Sequence, residues 1–344
     1  MCGDDQISGK NFDHRRQWIQ DRIGFLAGQF GLDVLGFAVM SNHLHVVVRN
    51  RPDVVQNWSD LEVARRWWNI FPKRRDKAGN PKEPTDVELQ MIIVEPERFA
   101  EIRQRLSSVS WFMRCLVEPI ARSANMEDLC SGRFWEGRYK CQPILDESAL
   151  AACLAYVDLN PIRAGIAETP ETSRFTSVYE RIKALGHAVP DATVEANEPE
   201  HVGCRECPTT AHEAETEVTP EHTPQTPADW LSPFELSEAT ADAPVPYSRV
   251  SNKGCLPMPF AEYLQLLDWT GRELRNDKRG SIPSDLAPIL ERLQIGEEGW
   301  MQLIGQFRRL FRRAAGRPQS MQKEREQRAC RLMQGIRHSR AVFV

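Results

Sequence analysis

"AVMSNHLHVVV", residues 38–48, sets two histidines, His43 and His45, either side of one leucine inside an apolar run. A run this rich in valine reads as a β-strand, and in a strand residues two apart point to the same face. Both imidazoles therefore look the same way, about one metal ion's reach apart. Ser41-Asn42 breaks the run just ahead of them and puts the pair beside a turn. "DVLGFAVM" (33–40) and "LHVVVR" (44–49) are then two strands around that turn. The ordinary explanation is a surface strand with two solvated histidines, and the spacing stays a hypothesis until its surroundings agree.

Outward from the pair, "FDHRRQWIQDRIGFLAGQFGL" (12–32) spaces Trp18, Ile19, Ile23, Leu26 and Phe30 as one face of an amphipathic helix. On the other side "NWSDLEVARRWWN" (57–69) reads as a helix, and "FPKRRDKAGNPKEP" (71–84) as an exposed basic loop. Helical patterning resumes over about 86–125. "GRFWEGRYKCQPIL" (132–145) alternates bulky and charged residues, as a strand with a basic, aromatic face would. "DESALAACLAYVDLNPIRAG" (146–165) starts at Asp146, a natural N-cap, and the pattern predicts a helix that stops at Pro161.

The composition changes after residue 186. Residues 187–250 are rich in Pro, Thr, Ala and Glu without periodicity, which predicts a disordered acidic linker. Periodicity returns over 251–344, with helices expected at "FAEYLQLLDWTGREL", "SDLAPILERLQI" and "GWMQLIGQFRRLFRRAAG" and a basic tail behind them. The expected organisation is thus a first domain over 1–186, a linker, and a small helical module.

At 344 residues, 41% hydrophobic and 27% charged, the chain has the composition of a globular protein. It lacks an apolar stretch of the ~20 residues a membrane span needs, and "MCGDDQISGKNFDHRRQW" has no apolar core of a signal peptide. Nine scattered cysteines fit a reducing cytosol better than a disulfide framework, so a cytoplasmic location is expected. The net charge of −4 hides an asymmetry: basic residues cluster around 65–82, 133–140 and 308–340, and acidic ones over about 188–245. A locally basic groove attracts a polyanion whatever the sign of the whole.

In the helix at 146–160, Ala149, Cys153, Tyr156 and Asn160 share one face beside an apolar stripe of Leu150, Leu154 and Val157. A phenol and an amide oxygen at the edge of a buried face suit a nucleophile beside a metal ligand. A core tyrosine and a helix-capping asparagine would look the same. Taken with the histidine pair, His43, His45 and Asn160 make a three-ligand divalent site. Such an ion acts as a Lewis acid on a phosphate and orients it against an attacking oxygen. Tyrosine, with an ordinary pKa of about 10, needs that help, and nearby cations, to attack near neutrality.

"VMSNHLHVVV", "GRFWEGRYKCQPIL" and "LAYVDLNPIRAGI", in this order, resemble the single-tyrosine HUH transposases of the IS200/IS605 type, and within them the REP-associated tyrosine transposases. The resemblance covers roughly residues 1–185. It implies an α/β (α+β) sandwich, an antiparallel sheet with helices packed on it in a ferredoxin- or RRM-like palm. It implies Tyr156 as nucleophile, His43, His45 and Asn160 as ligands of Mg²⁺ or Mn²⁺, and nicking and joining of single-stranded DNA at hairpin-forming repeats through a 5′-phosphotyrosine. The repeat-associated branch implies a monomer, although some relatives dimerise with shared active sites. The family has a strand ahead of the first helix, beside the strand carrying the histidines; "MCGDDQISGKNF" already lies past its expected place.

Several further residues are candidates. Arg133, Trp135, Arg138 and Lys140 would contact DNA from the expected strand, cations on phosphates and aromatics on bases. Lys73, Arg74 and Arg75 would grip a hairpin backbone from the loop, although a charge run is usually a solvated surface. Arg163 lies next to the Asn-Pro pair. Tyr139 is the rival nucleophile, without a ligand one helical turn away. "CREC" (204–207) with His201 and His212 is a weak zinc signal, because no second Cys pair accompanies it. The Arg-rich stretch 308–313 adds DNA affinity or forms the polar face of a bundle, with Ile304, Phe307 and Phe311 in its core. Two other functions fit the same residues: a hairpin-binding protein without a working site, and a different HUH endonuclease such as a replication initiator or relaxase.

Overall fold

In the computed structural model, β1 (Leu32–Val39) and β2 (Leu44–Asn50) pair antiparallel, with Ala38 opposite His45 and Val39 opposite Leu44. The structure describes residues 1–3, 9–77, 81–186, 228–236, 244–274, 290, 291, 293, 295–330 and 332–343. The Met40 N–H donates to the His43 carbonyl at 2.9 Å and closes the turn through Ser41-Asn42. All of β1 is buried, because the hairpin lies between two hydrophobic cores. Leu44, Val46 and Val48 face one core, while Val47 faces the other, as the period of two requires. His45 shares the parity of Val47 and so turns toward that second side.

The first core is built by α1 (His14–Ala27), α2 (Pro52–Asn57), α3 (Asp60–Ile70), α4 (Asp86–Ile93), α5 (Pro96–Leu106) and α6 (Val109–Glu127). It buries Ile19, Ile23, Leu26 and Phe30 of the expected helical face against Phe112, Leu116 and Trp68. The second core holds α7 (Glu147–Asp158), α8 (Asn160–Arg163) and α9 (Ser177–Ala184). It also holds α10 (Phe260–Leu274), α11 (Glu297–Leu310), α12 (Pro318–Gln327) and α13 (Ile336–Val342).

Asp146 caps α7, its carboxylate accepting from the Ala149 N–H at 3.0 Å. The chain does not leave the helical path at Pro161: after Leu159 it re-enters helix as α8, with Pro161 in the first turn, where its missing N–H is harmless. Gly36 sits at an irregularity in β1, and a Cβ there would come within 2.6 Å of Leu154 and 3.1 Å of the Ser177 hydroxyl. The glycine is what lets α7 and α9 close onto the strand.

Two expectations are corrected. Among the described residues the structure is mostly helical, with one two-stranded antiparallel sheet, and a ferredoxin-like palm is not formed. Residues 132–143 are irregular and mostly exposed rather than a strand, and Gly132 is in the left-handed region. The outer side of β1 is taken by coil and by the start of α9: Val39 N–H donates to Phe175 O, Phe37 N–H to Ser177 Oγ, and Ser232 N–H to Val34 O. Backbone groups satisfied in this way need no third strand.

The expected linker also ends earlier. Residues 187–227 and 237–243, with the Cys204–Cys207 motif, His201 and His212, lie outside the described residues, as does most of the helix expected over 284–295. Residues 228–236 and 244–250 are ordered, and Leu231, Phe234 and Val250 are buried. The 251–344 segment shares one core with α7 instead of standing apart. Asp33, buried in β1, receives Arg49 at 2.6 Å, Arg51 at 3.3 Å and the Ser251 hydroxyl at 2.7 Å. Asp158, at the end of α7, accepts from Ser177 Oγ at 2.6 Å, Val178 N–H at 3.1 Å and Tyr263 Oη at 2.7 Å. These two carboxylates tie the C-terminal helices to the hairpin. Among the described residues no helix is long and apolar enough to cross a membrane.

Candidate functional site

The turn, β2, α7, α8 and α11 meet at one cluster of rings. The imidazoles of His43 and His45 lie 4.9 Å apart between centroids, edge to face, and His45 lies 5.7 Å from the ring of Tyr156. The Arg163 guanidinium sits 4.9 Å over the Tyr156 ring, and Phe307 packs on that ring at 5.9 Å. Helical geometry explains the neighbours: Arg163 falls two turns beyond Tyr156 along the α7–α8 path, whereas Asp158, two residues on, points away into its buried network.

His43 Nδ1 and Asn42 Oδ1 are 2.6 Å apart. With the proton on Nδ1, that contact orients the ring and leaves the Nε2 lone pair free. Among the described residues, His45 Nε2 is buried without a hydrogen-bond partner, and so is the amide nitrogen of Asn160. Burial pushes both imidazoles toward the neutral, ligand-competent form: His45 goes down to about 4, from burial first and then His43, Arg308 and Arg163. His43 is lowered by burial and by Arg308.

Among the described residues no three His, Cys, Asp or Glu side chains form a metal cage. Two neutral imidazoles and one amide could still hold a divalent ion, with the remaining positions open to water or phosphate oxygens. This nitrogen-rich set, without a carboxylate, suits Mn²⁺ better than Mg²⁺, which prefers oxygen. His43, His45 and Tyr156 are joined by ring contacts; Asn160 stands one turn from Tyr156, at the start of α8.

A stability test follows from the neutral imidazole. The unfolded chain takes up a proton near pH 6.5 that the folded His45 refuses until about pH 4. Its contribution is therefore fully present above the unfolded value and is lost as pH falls from there. In metal-free protein, denaturant midpoints should drop more steeply between pH ~6.5 and ~4 than those of His45→Gln, by on the order of 1–3 kcal/mol. Parallel curves for the two proteins would contradict the buried neutral assignment.

The other expected DNA contacts divide. Arg163 joins the site. Arg74 is committed to Glu88 at 2.7 Å, which holds that carboxylate down at about 2, and to the Glu83 carbonyl. Trp135 donates to the Val117 carbonyl at 2.9 Å and packs on Phe134, so it is fastened to α6 instead of standing free for a base. Arg133 reaches the Glu136 carbonyl at 3.4 Å. Lys73, Arg75, Arg138 and Lys140 are exposed on loops. The Tyr139 hydroxyl is paired with Ser110 at 2.7 Å. Phe307 was read from the sequence as core, and Arg308 as part of an Arg-rich stretch that adds DNA affinity or faces solvent; their place beside Tyr156 is what sequence reasoning missed.

No family model matches the chain, and comparison with curated proteins and with solved structures gives no match.

Proposed function

We propose that the protein is a single-tyrosine HUH transposase, cutting and joining single-stranded DNA at hairpin-forming repeats. The observation that carries the reading is the contact of His43, His45 and Tyr156, drawn from separate elements into one cluster beside the Arg163 cation. In this reading the hairpin, with α7 packed on it, carries the site.

In this reading Tyr156 Oη attacks a backbone phosphorus. The bond to the 3′ oxygen breaks, leaving a 3′-hydroxyl and a 5′-phosphotyrosine that keeps the phosphodiester energy for rejoining. Arg163 sits over the Tyr156 ring, where its guanidinium favours the approach of a phosphate. Asn42 holds the His43 ring in one tautomer, and the packing of α7 on the hairpin fixes the distance from Tyr156 to the imidazoles. A Mn²⁺ or Mg²⁺ ion on His43, His45 and Asn160 would supply Lewis-acid polarisation of the phosphate.

The test is covalent capture: full-length protein, Mn²⁺ and hairpin-bearing single strands from its flanking DNA. A metal-dependent protein–DNA adduct is expected, and transfer of the cut strand to a second repeat end would distinguish a transposase from a replication initiator or relaxase. A second reading, hairpin binding without chemistry, is favoured by the Phe307 ring packed on Tyr156. Binding with no adduct under any metal would select it.

A further inference from the structure

We propose that Arg308, carried by α11, binds a DNA backbone phosphate at this site together with Arg163; the assignment rests on the single-stranded DNA reading above. The two arginines reach the site from opposite directions in the sequence. Arg163 Nη2 donates to the Gly305 carbonyl at 2.8 Å while its guanidinium covers the Tyr156 ring, and Phe307 meets the same ring. The turn of α11 that ends in Arg308 is thereby fastened to the nucleophile. Regular helix geometry is interrupted at Gln306 (φ −136°, ψ 18°), between the carbonyl taken by Arg163 and the phenyl ring on Tyr156. That interruption sets the direction in which Phe307 and Arg308 leave the helix.

The charges around the cluster are unbalanced. Arg15, Arg49, Arg51, Arg66, Arg103 and Arg105 each pair with a carboxylate. Among the described residues neither Arg163 nor Arg308 has an ion-pair partner, and Arg308 is exposed. Two guanidiniums without a carboxylate partner among the described residues, beside two imidazoles and a phenol and with the nearby Asp158 turned away, form a locally positive site in an acidic protein. Guanidinium forks match phosphate oxygens in geometry and charge, and single-stranded DNA presents such phosphates at the reacting centre of the proposed chemistry.

The experiment uses the full chain, wild type beside Arg308→Ala, Arg308→Lys and the control Arg98→Ala, which removes an exposed like charge from α5, outside the site. Binding of fluorescein-labelled oligothymidylate is followed by anisotropy over a salt series, and the Mn²⁺ adduct assay is run in parallel. Arg308→Ala should bind roughly fivefold more weakly near physiological salt, with the log–log salt slope reduced by about 0.7. Arg308→Lys should restore most of the slope, and Arg98→Ala should leave adduct yield unchanged.

Unchanged affinity and slope in Arg308→Ala would overturn the assignment. So would tighter binding, which would make α11 a cover over the site, or a wild-type protein that does not bind oligothymidylate. The two readings fail separately. A binding loss in Arg308→Ala with no wild-type adduct removes the phosphotyrosine chemistry and leaves the phosphate contact. A wild-type adduct with no effect of Arg308→Ala does the reverse.

Discussion

Tyr156→Phe is expected to abolish the covalent protein–DNA adduct, a loss of at least about a thousandfold, while oligonucleotide affinity stays within about twofold of wild type. The substitution removes one oxygen and keeps the ring, so the contacts with His45, Arg163 and Phe307 persist. A half-buried ring retained in place leaves the packing of α7 unchanged, and thermal stability should not move appreciably. The selectivity of the effect is what tests the site, because a general loss of folding would lower binding as well. An adduct that survives would transfer the role to Tyr139. That hydroxyl is bonded to Ser110, and its ring makes no described contact with the imidazoles. Survival would therefore sink the ring cluster as the reacting centre.

Asp33→Ala should destabilise the fold by about 3–5 kcal/mol, with a fall in Tm on the order of 10 °C. The Asp33 side chain is fully buried and holds Arg49, Arg51 and Ser251. Its removal leaves two largely buried guanidiniums without their shared anion. Arg49 also donates to the carbonyls of Lys253 at 2.7 Å and Gly254 at 2.8 Å, so the same side chain clamps the 251–256 segment to β2. Limited proteolysis should therefore cut the variant first on the C-terminal side of residue 250, ahead of the hairpin. Loss of the clamp would also free α10 and α11, and with them Arg308. An Asp33→Ala protein with wild-type Tm and an unchanged cleavage pattern would show that this buried cluster does not hold the two halves together.

The hairpin was legible because its signals are local. A period of two in "DVLGFAVM" and "LHVVVR" set the strands, and Ser41-Asn42 set the turn. The same parity turned His43 and His45 to one side. Asp146 as an N-cap and the amphipathic face of Trp18, Ile19, Ile23 and Leu26 were equally local, since caps and helical faces depend on residues within two or three turns. The segment 132–145 misled because alternation alone does not make a strand. Backbone groups need a partner edge, and coil from 174–176 and 231–232 had already taken the edge of β1. Pro161 misled because a proline stops a helix in its interior but opens one at its first turn.

By itself, the sequence determined the histidine pair, the tyrosine helix and the face on which each presents its side chains, because those follow from short periods along the backbone. Tertiary structure alone decided that these faces meet. Nothing in residues 38–48 or 146–160 requires His45 to lie 5.7 Å from Tyr156; the packing of α7 on the hairpin through Gly36 does. Nor does any local pattern link residues 305–308 to Tyr156. Helix α7 is apolar around most of its circumference because it is covered on a second side by α11. Contacts between residues far apart in sequence come from burial of shared apolar surface, and that shared core brought Phe307 and Arg308 to the site.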